Sequence, residues 1–148
     1  MFSIRHSCVI FCCELQFLIC IRRLTDQIHD EWIRNLLKNR QDISPERLER
    51  TRRLMNKSVP DCLVTGYEPY IGELNLPDPD DRHVLAAAIR CQAGVIVTLN
   101  LRDFPEDVVS RYGISIQHPD EFFSHIFDLR PAVLCSAIKE MREDLDNP

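Results

Sequence analysis

Oxygen-bearing side chains recur in three separate stretches of this chain at spacings that could do chemistry. In Leu76-Pro77-Asp78-Pro79-Asp80-Asp81-Arg82-His83-Val84-Leu85, Asp81 stands three residues before Val84 and four before Leu85. That places it on the apolar stripe Val84, Leu85, Ala88 and Ile89 of a predicted helix. A carboxylate aimed along a buried face costs free energy unless it is paired, hydrogen-bonded or bound to a metal. Capping accounts for Asp78 and Asp80, because a helix start welcomes an acceptor, a first-turn proline and negative charge, but it accounts less well for Asp81. In Ile28-His29-Asp30-Glu31-Trp32, Glu31 lies at the edge of a helix's apolar face, where taken alone it reads as a solvated flank. After Val95-Ile96-Val97-Thr98 the chain continues Leu99-Asn100-Leu101-Arg102-Asp103, and alone Asn100 and Asp103 read as turn residues. Taken together, oxygen ligands from three segments without matching cysteine or histidine ligands make the kind of site that holds Mg²⁺ or Mn²⁺. Such an ion activates water and neutralises charge on a phosphodiester during hydrolysis.

The elements that must position these groups follow from local signals. Thr25-Asp26 opens a helix with Ile28, Trp32, Leu36 and Leu37 at helical spacing, ending near Asn39-Arg40. Ser44-Pro45 starts a second helix running to Met55, with Glu46 in its positive first turn. Cys62–Thr65 reads as a short strand, and Tyr67–Pro77 as a loop carrying Pro69, Gly72 and Pro77. A third helix is expected from Asp78 to about Cys91, strands over Gly94–Leu99 and Gly113–Gln117, a helix from His118-Pro119, and a last helix from Pro131 to about Leu145. Alternating strands and helices predict an α/β fold, a three-layer α/β/α domain with a mostly parallel central sheet. In such sheets function sits at the carboxyl ends of strands, so the ends of the first strand and of Val95–Thr98 become candidates together with the start of the third helix.

The 148 residues are the length of one domain, expected to span 1–148, and 45% hydrophobic content supplies a core. A net charge of −5 with no single-sign tail excludes histone-like and collagen-like classes, and it leaves nucleic acid open as a partner because phosphates respond to local charge. The seven cysteines contain no Cys-x-x-Cys pair, which argues against a disulfide framework or a zinc site and for reduced thiols in a cytoplasmic protein. The atypical segment 1–23 contains the most apolar run, Cys8 to Ile21, interrupted by Glu14 and Gln16. It is too short to span a membrane, and Ile21-Arg22-Arg23 is the wrong chemistry for signal cleavage. It reads as a buried strand over Cys8–Cys12 leading into a short helical or extended piece.

Over about Leu24–Phe123 the motif order resembles PIN-domain proteins, specifically the ribonuclease toxins of bacterial toxin–antitoxin pairs. The resemblance is carried by Thr25-Asp-Gln-Ile-His-Asp-Glu-Trp-Ile-Arg-Asn-Leu36, Leu76-Pro-Asp-Pro-Asp-Asp-Arg-His-Val-Leu-Ala-Ala-Ala88 and Val95-Ile-Val-Thr-Leu-Asn-Leu-Arg-Asp-Phe-Pro105. It implies Mg²⁺- or Mn²⁺-dependent cleavage of single-stranded RNA, with Glu31, Asp81 and Asp103 as ligands, Asn100 positioning water or a ligand carboxylate, and Thr98 beside them. It also implies an antitoxin partner, a homodimer and no membrane association. The family's first acid, an aspartate ending the first strand, has no counterpart before Asp26, and Glu14 is the nearest acid. The same resemblance therefore carries a second reading, a non-catalytic PIN-fold module that binds an antitoxin or RNA. Arg47, Arg50, Arg52, Arg53 and Lys57 give the second helix a basic surface, with Arg50 and Arg53 as candidate RNA contacts; a solvated helix balanced by Glu46 and Glu49 explains the same residues.

Overall fold

The computed structural model describes residues 8–14, 19–40, 42–59 and 61–146. Two strands, β1 (Cys8–Glu14) and β2 (Ile19–Arg23), precede the helices α1 (Asp26–Asn39) and α2 (Pro45–Ser58). A one-turn helix α3 (Glu68–Ile71) follows, and a 3-10 turn over Pro79–Asp81 leads directly into α4 (Arg82–Arg90). Strand β3 (Val95–Thr98), a 3-10 turn over Leu101–Asp103, the short helix α5 (Glu106–Val109) and strand β4 (Ser115–Gln117) come next. The chain closes with α6 (Pro119–Leu129) and α7 (Pro131–Asp146).

The helix starts are built as the sequence suggests. Thr25 Oγ1 accepts from the Ile28 N–H at 3.1 Å, Ser44 Oγ from the Arg47 N–H at 3.4 Å, and Asp78 Oδ1 from the Asp80 N–H at 2.9 Å. Each satisfies a donor that the first turn leaves without an intrahelical partner. Pro45, Pro79 and Pro119 occupy first positions, where a missing N–H costs nothing. The expected loop from Tyr67 contains α3, and the stretch after Asp103 contains α5 and a 3-10 turn closed by Gly113 at φ +71°.

The sheet has the order β2-β1-β3-β4. β3 and β4 pair in parallel, whereas β1 is antiparallel to both β2 and β3. The fold is thus α/β with a mixed sheet, and the expectation of a mostly parallel one is corrected. Only four residues separate β1 from β2, too few for the crossover that a parallel pair requires, so the two close as a hairpin. The expected strand at Cys62–Thr65 is reduced to a single parallel bridge between Leu24 and Leu63, held by Leu24 N–H to Cys62 O and Val64 N–H to Leu24 O, both 2.8 Å.

The core gathers around α4. Val84, Leu85, Ala86, Ala87 and Ala88 are all buried, so this helix is enclosed on every side instead of presenting one apolar stripe. Leu24, Ile28, Leu74, Leu76, Ile96, Phe104, Val109 and Ile114 pack with it. Among the described residues no helix is long and apolar enough to cross a membrane, and Cys62, Cys91 and Cys135 are free thiols. The side chains of Cys8, Cys12, Cys13 and Cys20 lie outside the described ones.

Candidate acidic metal site

Two 3-10 turns bring the acidic site together. In a 3-10 helix residues three apart eclipse one another, so the turn Pro79–Asp81, capped by Asp78, sets Asp78 and Asp81 on one side. The turn over Leu101–Asp103, which starts where β3 ends, delivers Asp103 to the same place. One carboxylate oxygen from each of Asp78, Asp81 and Asp103 lies within 4.8 Å of the other two. Asp81 is only 3% exposed, while Asp78 and Asp103 are half-buried.

Thr98 at the end of β3 and Asn100 at the start of the following 3-10 turn support this trio. Asn100 Nδ2 donates to Asp103 Oδ2, which fixes the carboxylate. The Asn100 N–H in turn donates to Thr98 Oγ1 at 3.1 Å. Thr98 is 1% exposed, so its side chain shapes the turn from within and does not reach the surface on which a substrate would lie.

The electrostatics of the trio follow from burial and crowding. Burial, the hydrogen bond and charge of Asp103, and the charges of Asp78 and Glu31 push the Asp81 carboxyl up to about 7. Like charges at such range disfavour one another's ionisation, and a bound cation would reverse that penalty. Three carboxylates without sulfur or imidazole in the cluster form a hard-oxygen donor set, and this set suits Mg²⁺ or Mn²⁺ better than zinc or copper.

Glu31 reaches the site from α1. It stands beside the trio and acts on Asp81 through its charge, but it is not one of the three clustered carboxylates. Burial raises its carboxyl to about 7, opposed by Arg34 and by a hydrogen bond from Gln27 and assisted by the charges of Asp80 and Asp30. His83, 2% exposed, donates through Nδ1 to the Asp80 carbonyl at 2.7 Å, which leaves Nε2 3.6 Å from Glu31 Oε1. A carbonyl can only accept, so this bond assigns the proton to Nδ1.

Two of these residues escaped the sequence reading. Asp78 was accounted for as a cap, and it is one, yet the same carboxylate belongs to the trio; its three-residue spacing from Asp81 across a 3-10 turn is the signal that could have shown it. His83 carried no signal of its own. The sequence candidates Arg50 and Arg53 lie exposed on α2 and are not part of the acidic cluster.

The expectation that the end of the first strand joins the site is corrected by the sheet register. Cys8 pairs with Thr98 and Phe11 with Val95, so β1 runs away from the acidic turn. Glu14 is six residues beyond Cys8, about 20 Å at a strand's rise, and its backbone therefore stands at the far end of the sheet. Its side chain lies outside the described ones. The acidic site of this chain is built from α1, the turn before α4 and the turn after β3.

Comparison with known proteins matches residues 119–148, the region of α6 and α7, to the model of the VapC50 C-terminal domain. A curated protein of Mycobacterium tuberculosis (strain ATCC 25618 / H37Rv), named "Putative ribonuclease VapC50", is 46% identical over 76 residues. The match covers 49% of this chain and 44% of that protein, so the chain spans less than half the length of this relative. No solved structure matches it. Both similarities are partial: the first takes in residues 119–148 and the second about half of the chain.

Proposed function

We propose that this chain is a single three-layer PIN-type domain that hydrolyses single-stranded RNA with Mg²⁺ or Mn²⁺, as the toxin of a cytoplasmic toxin–antitoxin pair. The observation that carries the reading is the convergence of Asp78, Asp81 and Asp103 within 4.8 Å, which supplies three ligand carboxylates without an aspartate from the first strand. Asp78, Asp81 and Asp103 would hold the ion. Bound there, it would neutralise charge on the phosphodiester and acidify a water. Asn100 keeps Asp103 turned toward the ion's place. Glu31, half-buried with its carboxyl at about 7, is poised near working pH to accept the proton of the attacking water. As the water oxygen bonds to phosphorus, the bond from phosphorus to the leaving ribose oxygen breaks and that oxygen takes a proton from solvent.

The test is a calorimetric Mn²⁺ titration coupled to RNA cleavage, with Asp81→Asn as the comparison. Stoichiometric binding and cleavage that both disappear in Asp81→Asn support the reading. A wild-type protein that neither binds Mn²⁺ nor cuts RNA would turn it to the second reading, a PIN-fold module that keeps a partner surface without the chemistry. The absence of an acid in β1 at the site is the observation that favours that alternative.

A further inference from the structure

A second feature lies on α2 and its approach, away from the acidic trio. A cleft of about 460 Å³ opens between the connection after α1 and the first three turns of α2. Its cationic lining is Arg40, Arg47 and Arg50, with Asp42, Thr51 and the apolar side chains of Ile43, Leu48 and Leu54 in the same wall.

The charges of α2 are sorted by face. Arg52 is clamped by Asp26 and by Asp30 at 2.9 Å, with Glu49 3.8 Å away. Glu49 is thereby spent on Arg52, and Glu46 hydrogen-bonds at Ser44. Neither acid of α2 lines the cleft. Within the cleft Asp42 takes two bonds from Arg40, at 2.8 and 2.7 Å, and also feels the charge of Arg47. One carboxylate facing three guanidiniums leaves the cleft with an excess of positive charge.

We propose that this cleft is a phosphate-binding subsite for single-stranded RNA, in which Arg47 and Arg50 hold the backbone of a strand whose scissile bond lies at the acidic site. Arginine's planar fork of donors matches phosphate oxygens, and Thr51 adds a hydroxyl. Arg40, the C-cap of α1, follows Glu31 by nine residues, two and a half turns and about 13 Å along the axis, so cleft and acidic site flank opposite faces of α1 and a strand that joins them passes around this helix. The assignment rests on the ribonuclease reading for its direction along the strand, and its test is made independent of cleavage.

The experiment measures anisotropy of fluorescent RNA in chelator, so that no strand is cut, using a dinucleotide and a strand of about twelve nucleotides. The double variant Arg47→Gln, Arg50→Gln is expected to bind the longer strand more weakly, with the salt slope of log K reduced by about 1.4 for two lost phosphate contacts. The dinucleotide should show no such change, and Arg47→Lys, Arg50→Lys should retain most of the slope. An unchanged slope in a double variant that melts like wild type overturns the subsite. So does a wild-type protein that binds no RNA, or a double variant that loses only an acidic peptide such as oligoglutamate, which would give the cleft to a protein partner. Cleavage by wild type is scored separately: if it fails while the slope still falls, the ribonuclease reading is lost and the subsite stands.

Discussion

Asp81 is the most buried carboxyl of the acidic trio, and the proposed chemistry centres on it. Its replacement by Asn keeps the shape but removes the charge that an ion requires. We expect Asp81→Asn to lower metal-dependent cleavage by at least about a hundredfold, since even residues that only orient metal ligands are worth about 10–100-fold. On the proposed reading Asn100 orients Asp103 through their hydrogen bond, and Asn100→Ala should weaken Mn²⁺ binding by about that factor in calorimetry. The raised carboxyl of Asp81 also sets a stability trend. An unfolded chain releases this proton near the ordinary value of 3.8, while the metal-free native state keeps it to about 7. The native state therefore binds more protons in that window, and stability is fully present below about 4 and lost as pH rises through about 7. Glu31 adds a contribution of the same sign. Melting curves of metal-free protein should show Asp81→Asn matching wild type at the acid end and exceeding it above neutrality. Equal melting temperatures across the range would remove the buried-carboxyl account.

At the scale of elements, α1 and α2 are joined by a buried polar bridge. Trp32 Nε1 donates to His29 Nδ1 at 2.9 Å, so His29 Nε2 carries the proton and donates to Asn56 Oδ1 at 2.8 Å. Because His29 is fully buried, its removal strands the Trp32 indole N–H and leaves Asn56 Oδ1 only the weak Cys62 Sγ donor at 3.6 Å. His29→Leu should cost about 1–3 kcal/mol in denaturant unfolding, through the lost bonds. The helix starts at Thr25, Ser44, Asp78 and His118 were legible in the sequence because caps are local signals with few alternatives. The short helices α3 and α5 were not, since four residues offer no periodicity to read. Asp78 was hidden for another reason: a capping role explains an aspartate there so well that its second role leaves no trace in composition.

For the whole molecule the decisive element is α4, whose enclosure ties the acidic turns to the core. Leu85 is completely buried, and Leu85→Ala should cost about 2–5 kcal/mol through lost transfer energy and the cavity left behind. In a chain of this size each kcal/mol lowers the melting temperature by about 2–4 °C, so a calorimetric scan reads the loss directly; a shift under about 3 °C would mean that the site collapses around the smaller side chain. The sequence by itself determined the α/β character, the positions of the longer helices, and Glu31, Asp81, Asn100 and Asp103 as candidates, because those rest on periodicity, capping and residue chemistry. Only the tertiary structure decided which acids meet. Direction and register of a strand depend on non-local pairing, so no local pattern could show that β1 runs antiparallel to β3 and carries Glu14 away from the site. The same folding placed Asp78 with Asp81 and Asp103, set His83 against Glu31, and turned Arg52 inward while Arg47 and Arg50 face the cleft.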